Sequence, residues 1–327
     1  MSLAIFYKLL AIFVTVALGW GAGRMRWLGD NDPARVLANA ALYIFIPALL
    51  FRTTSRIDFT SLPWRTLAAF FGPVLLLLLA VYLWQRRRSR RRDESPASPS
   101  VRAISATFGN TVQVGIPVAA ALFGETGLGI HITIIGLHAL TLLSVSTALV
   151  ELDLARARAR HRGVEASLAT TLQTTLRNTI IHPVVLPVLA GLAWNASGYK
   201  LPPVIDEVLE LLGTAVVPLC LVLIGMSLAY YGLQGRAMGA VALSLLKLVA
   251  LPALVLGAAH WGLGLDGVAL AVVVMAAALP IGSNALIFSQ RYETLEAEAT
   301  AAIVLSTLGY VATAPLWLLV LRLLDAP

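Results

Sequence analysis

Apolar runs of about 20 residues recur along the whole chain with short polar breaks between them, and no other feature limits the possible folds as strongly. A helix of that length crosses the hydrocarbon core of a bilayer, about 30 Å at 1.5 Å per residue. In hydrocarbon every backbone N–H and C=O needs a partner within the protein, which forces each run into a helix. Ten spans follow: 3 to 21, 34 to 53, 62 to 84, 101 to 122, 128 to 150, 175 to 195, 203 to 230, 237 to 261, 266 to 290 and 298 to 323. The expected fold class is an all-α polytopic membrane protein. Composition agrees, because 58% of the 327 residues are hydrophobic and only 13% charged, about half the charged share of a soluble globule. The first run, Leu3 to Gly21, lacks a basic leader and a small-residue cleavage site and reads as a retained helix.

The formal charge of +7 is a topology signal and not a nucleic-acid footprint, since the arginines gather in the breaks, at Arg86 to Arg92 and Arg156 to Arg162. The loops and flanks after odd-numbered spans hold 17 Lys and Arg, whereas those after even spans hold Arg52, Arg56, Arg65 and Lys200. The positive-inside rule then puts both termini outside the cytoplasm, with the chain in the cytoplasmic (inner) membrane. One cysteine, Cys220, excludes a disulfide framework and a thiolate metal cluster. The acids Asp206, Glu207, Glu293, Glu296 and Glu298 crowd helix ends, and span 5 has none between Gly127 and Val150. An antiporter's intramembrane carboxylate pair is therefore missing, as are HExxH, GxSxG and a phosphate-cradling glycine loop. The chain is expected not to be an enzyme and to need no cofactor; sodium is not indicated.

Proline and glycine landmarks divide the chain in two. Phe45-Ile46-Pro47-Ala48-Leu49-Leu50 in span 2 resembles Val216-Val217-Pro218-Leu219-Cys220-Leu221 in span 7, and Phe108-Gly109-Asn110 in span 4 has its counterpart in Pro280-Ile281-Gly282-Ser283-Asn284 in span 9. Pro47 to Gly109 and Pro218 to Pro280 are both 62 residues. Five spans per half is an odd number, so the halves enter the membrane from opposite sides. The expected organisation is a first five-helix repeat over 1–150, a basic cytoplasmic loop over 151–174 and a second, inverted repeat over 175–327.

Span 4 carries Gly109-Asn110-Thr111-Val112-Gln113-Val114-Gly115-Ile116-Pro117 at a depth where polar and helix-breaking residues are costly. Glycine permits irregular backbone, and Pro117 removes a donor and frees the carbonyl of Gln113. Span 9 repeats the device with Pro280, Gly282, Ser283 and Asn284, so two broken helices are expected to meet near the midplane, as in transporters. A half-helix starting at a break carries partial positive charge that favours an anion by roughly 0.3–2 kcal/mol. Asn110, Thr111, Ser283 and Asn284 add hydrogen bonds to the cargo, or else only bond neighbouring helices. Gln113 joins them if its rotation faces the pocket. Lys247 in span 8 either serves the site or snorkels to the interface. His131 and His138 share a face of span 5 and either line the cavity or pack as hydrogen-bonded core.

These residues resemble the auxin efflux carrier family, which includes bacterial members associated with malate and malonate transport. The resemblance runs along the whole chain and is carried by Gly109-Asn110-Thr111 with Gly115-Ile116-Pro117 and Ala121-Leu122-Phe123-Gly124, by Ala278-Leu279-Pro280 through Phe288 to Arg291-Tyr292, and by Tyr43 to Phe51 with its Pro47. It implies ten helices in two inverted repeats, a site where helices 4 and 9 cross, a scaffold of spans 1, 2, 6 and 7 that pairs two protomers, and a mobile unit of spans 3–5 and 8–10 moving as an elevator. It also implies a carboxylate beside Asn110. The family's plant members carry proline where Gly109 stands, and their long loop between spans 5 and 6 shrinks here to 24 residues. These departures weigh against auxin itself as cargo. The function expected is carriage of a small organic anion, a mono- or dicarboxylate, by an uncoupled or membrane-potential-driven route, in a homodimer in the lipid bilayer. Sodium-coupled symport and a transporter-like sensor or scaffold are the alternatives.

Overall fold

The computed structural model describes residues 3–29, 32–56, 63–92, 94–162, 183, 185–231 and 237–324. The described residues are almost all helical: α1 (Leu3–Arg24), α2 (Pro33–Thr54), α3 (Trp64–Arg92), α4 (Ser98–Thr107), α5 (Ile116–Arg162, two helical segments that meet at a break at Gly124), α6 (Val185–Ala196), α7 (Pro203–Tyr231), α8 from Ala237 to Gly262, α9 (Gly267–Ala278), α10 (Asn284–Arg291) and α11 (Glu296–Leu324). No strand occurs among them beyond one isolated bridge, between Gly109 and Ile281. Pro33–Thr54, Trp64–Ser89, Thr126–Arg158, Met238–Gly262 and Glu296–Leu324 are each long and apolar enough to cross a membrane. Of the expected span 175 to 195, residues 175–182 and 184 lie outside the described residues, and 185–195 fall in α6.

Three helices change pitch before a proline. The π turns Ala41–Phe45, Thr111–Gly115 and Leu246–Ala250 end two residues before Pro47, Pro117 and Pro252. A proline ring clashes with the carbonyl four residues back, and one wider turn moves that carbonyl away. Pro73, Pro218 and Pro315 sit inside helices without such a turn, so the proline permits the bulge but does not compel it.

The helices pack in two sets. In the first, α1 lies along α7, and α2 packs on α6 and α7. Small residues let these backbones touch: a methyl on Gly19 would sit 2.2 Å from the Val222 carbonyl oxygen, and one on Gly225 only 1.9 Å from that of Val16. Close approach through glycine is how helices gain contact in lipid, where burial of apolar surface provides no drive. In the second set, α3 packs on α4, α8 and α9, while α11 covers α8, α9 and α10. The α7–α11 contact is the main bridge between the sets.

A buried ion cluster ties the second set together at one end. The Arg102 guanidinium of α4 donates from Nε to Glu298 Oε1 of α11 (2.7 Å) and from Nη1 to Glu94 Oε2 (2.6 Å), with Gln85 of α3 accepting at 3.3 Å. All four side chains are buried or nearly so. Replacing Arg102 with leucine leaves two carboxylates without their cation, a defect of about 3–5 kcal/mol. Thermal unfolding of detergent-purified Arg102→Leu should show a large fall in Tm, and adding Glu298→Leu should restore part of it.

Candidate functional site

The two breaks pair with each other. After α4 ends at Thr107 the chain is extended over Phe108 to Asn110, and after α9 ends at Ala278 it is irregular until Asn284. The two breaks cross antiparallel: Asn110 N donates to Pro280 O (2.8 Å) and Gly282 N to Phe108 O (2.9 Å). Ile281 N donates to Ser306 Oγ of α11 at 3.0 Å, so α11 anchors the crossing from behind. Backbone groups that no helix can satisfy thereby satisfy one another, as a low-dielectric interior demands.

Glycine makes this approach possible, and unequally. A methyl on Gly282 would stand 2.8 Å from Gly109 O and 3.0 Å from the Phe108 ring. One on Gly109 would meet nothing nearer than Lys247 Nζ at 3.4 Å, and Gly109 does not have a positive φ. Gly115 is packed tightest: its methyl would lie 2.3 Å from His131 Nε2, which bonds the Thr111 carbonyl oxygen at 2.8 Å. His131 is thus a buried brace on the turn after the break, the packed alternative of the two the sequence leaves open.

Beside the crossing lies a cavity of about 80 Å³. Gly109, Asn110 and Thr111 line it from one break, and Gly282, Ser283 and Asn284 from the other. Both half-helices that begin after the breaks therefore present their N-terminal residues to the same space. His138 of α5 completes the polar part; its ring is edge-on to Phe108 at 4.4 Å between centroids, it is 1% exposed, and Nδ1 has no hydrogen-bond partner among the described residues. The opposite wall comes from α2 and α7, with Ile46, Leu49, Leu50 and Val216 apolar and the Thr53 and Thr54 hydroxyls turned back to the Leu49 and Leu50 carbonyls. Among the described residues, no Lys, Arg, Asp or Glu lines the cavity.

Two candidates stand off the cavity. Pro280 does not line it but supplies the carbonyl that accepts from Asn110. Lys247 does not reach an interface: it is fully buried, and its ammonium donates to the Ala277 carbonyl. The Gln113 side chain lies outside the described residues. The α2 wall escaped sequence reasoning as a lining, although Pro47 in that same stretch marked it as half of a repeated landmark.

A family of membrane transport proteins matches residues 4–318. The chain belongs to that family, the auxin efflux carriers among its members. It is similar to YfdV of Escherichia coli (strain K12), a transporter itself uncharacterized, at 26% identity over 97% of this chain and 98% of the relative. Auxin efflux carrier component 2 of Oryza sativa subsp. japonica is 30% identical over 40% of this chain and 22% of its own length. A protein of Rhizobium meliloti (strain 1021), provisionally named a malonate transporter, is 25% identical over 83% of this chain and 82% of its own. Membership makes the chain an integral membrane transporter and not an enzyme.

The crossing separates two glycine positions that look alike in the sequence. Gly109→Ala should leave the wild-type Tm almost unchanged. Gly282→Ala must push Gly109 aside, and overpacking of that kind costs about 1–3 kcal/mol. Equal Tm values for the two purified variants would contradict the geometry of the crossing.

Proposed function

We propose that this transporter carries a small organic anion, a carboxylate, bound in the cavity beside the crossing. The observation that supports it best is that the Asn110–Thr111 and Ser283–Asn284 ends of two half-helices line one small space. Each helix start carries partial positive charge and backbone donors, and the neighbouring amides and hydroxyls supply further hydrogen bonds. Asn110, Thr111, Ser283 and Asn284 are the binding residues in this reading, Gln113 an adjoining one, and Gly109 and Pro280 the backbone that lets them converge. His138, buried with an unpartnered ring nitrogen, is positioned to bond the cargo. Among the relatives, the Rhizobium meliloti protein's name points to a small carboxylate as well.

The same reading takes the ten spans as two inverted five-helix repeats, residues 1–150 and 175–327, joined by the basic cytoplasmic loop 151–174. The paired breaks favour it, because Gly109 and Ile281 face each other in an antiparallel bridge. The set of α1, α2, α6 and α7 is the scaffold, through which two protomers pair, and the remaining helices form the moving unit. The cavity lies at the boundary between the sets, as an elevator-like mechanism requires. With both termini outside the inner membrane, α2 runs outward and the cavity reaches towards its outer end at Thr53 and Thr54. Contacts at the other end hold the sets together: Arg35 of α2 pairs with Glu293 at 2.9 Å, and Arg291 Nη1 donates to the Tyr43 hydroxyl at 2.6 Å.

Proteoliposome counterflow with a panel of mono- and dicarboxylates tests the function, and transport of none of them would end this reading. Asn110→Ala should lower the flux roughly tenfold or more, since a hydrogen bond to a charged group is worth about 1.5–3 kcal/mol, while Tm and monodispersity stay normal. Loss of folded protein would instead assign Asn110 to packing. For the mechanism, Arg35→Gln with Arg291→Gln should shift the carrier inward. A membrane-impermeant maleimide added outside should then label Thr53→Cys, in a Cys220→Ser background, more slowly than with both arginines present.

A further inference from the structure

Lys247 has a place that the anion site alone does not explain. It sits in the π turn Leu246–Ala250 of α8, its side chain is 0% exposed, and its ammonium donates to the carbonyl of Ala277, one residue before the end of α9. Nζ would lie 3.4 Å from a methyl on Gly109, and Gly109 lines the cavity on its other side. Lys247 Nζ thus lies behind Gly109, off the cavity that Gly109 lines. No carboxylate among the described residues pairs with it.

A lysine within reach of the interface would extend to it, and a buried ammonium with no counter-ion is expensive. What offsets the expense is the C-terminal end of α9, whose carbonyls carry partial negative charge. In carriers built from broken helices, such ends and unwound carbonyls are where a co-transported cation binds. Here a tethered ammonium occupies one. We propose that Lys247 is a built-in counter-cation: it caps the end of α9 at the crossing, supplies positive charge behind Gly109 for the anionic cargo, and takes the place of a dissociable coupling ion. Transport then needs no sodium. A monoanion in the cavity and the ammonium behind it form a neutral pair, so membrane potential acts on the empty moving unit and not on the loaded one. The role towards cargo rests on the anion reading; the capping role does not.

The test separates the two. Purified wild-type protein is melted in sodium, lithium, potassium or choline chloride at equal ionic strength, and again with methylammonium chloride. Its Tm should be the same in all. Lys247→Ala opens the space beside the helix end, lowers Tm in choline, and should regain Tm in methylammonium or sodium. Lys247→Met keeps the volume of the stem without the charge, so it should be destabilised and regain nothing from any cation. In proteoliposomes, wild-type carboxylate flux should stay within about twofold when choline replaces sodium, and methylammonium should raise the flux of Lys247→Ala severalfold. A sodium-specific rise in wild-type Tm or flux overturns the proposal, and so does a Lys247→Met variant with wild-type Tm and flux. The wild-type comparison needs no variant, so poor folding of Lys247→Ala leaves the test decisive. If Tm behaves as described but no carboxylate moves, the anion reading fails and the capping role stands.

Discussion

Two hydrogen bonds, Asn110 N to Pro280 O and Gly282 N to Phe108 O, are what the rest of this structure depends on. A helix broken in the middle of a hydrocarbon-facing bundle exposes donors and acceptors that lipid cannot satisfy, each at a cost of several kcal/mol. One broken helix would be a defect. Two that cross antiparallel satisfy each other, and in doing so bring the start of two half-helices to one place. The binding surface and the repair of the backbone are therefore one arrangement. Gly282 is where that arrangement is least forgiving, because the Gly109 carbonyl occupies the space a side chain would take.

The surroundings make the crossing rigid on one side and loose on the other. Behind it, Ser306 bonds Ile281, His131 bonds the Thr111 carbonyl, and the Arg102 cluster clamps α3, α4 and α11. These are buried, short-range and internal to one set of helices. In front, the cavity separates the crossing from the apolar faces of α2 and α7. Of the polar ties between the sets, Arg35–Glu293 and Arg291–Tyr43 are solvent-exposed. Exposed pairs are worth about 0–1 kcal/mol, so they yield where the buried cluster does not. In the proposed elevator-like reading, that boundary is the plane along which the helices slide.

How much of this the sequence carried differs by residue. The breaks at Gly109 and Pro280 were legible because glycine and proline act locally, on the backbone of their own turn. The 62-residue spacing from Pro47 and Pro218 was legible for the same reason. The wall formed by Ile46, Leu49 and Leu50 was not, because an isoleucine facing a cavity and one facing lipid read identically. The two outcomes for Lys247 were open in the sequence, since snorkelling and burial differ only in which way four methylenes point. His131 and His138 share a helix face yet differ in fate: His131 finds the Thr111 carbonyl through the gap at Gly115, while His138 ends against Phe108 at the cavity wall. Seven residues of spacing predict a common direction, not common partners.

The placement of charge bears on how a carrier both binds and releases. A formal cation inside the cavity would hold an anion strongly in a low-dielectric site and slow its exit. The cavity instead offers helix ends, amides and hydroxyls, each of modest strength, and Lys247 stands behind Gly109. Attraction from that distance lowers the energy of an anion without bonding it. In the proposed reading, specificity is left to the geometry of Asn110, Thr111, Ser283 and Asn284, and the turnover to how readily those neutral bonds exchange for water. In the proposed reading, a site that must take up its cargo on one face of the membrane and release it on the other in every cycle is better built from many weak contacts than from one strong ion pair.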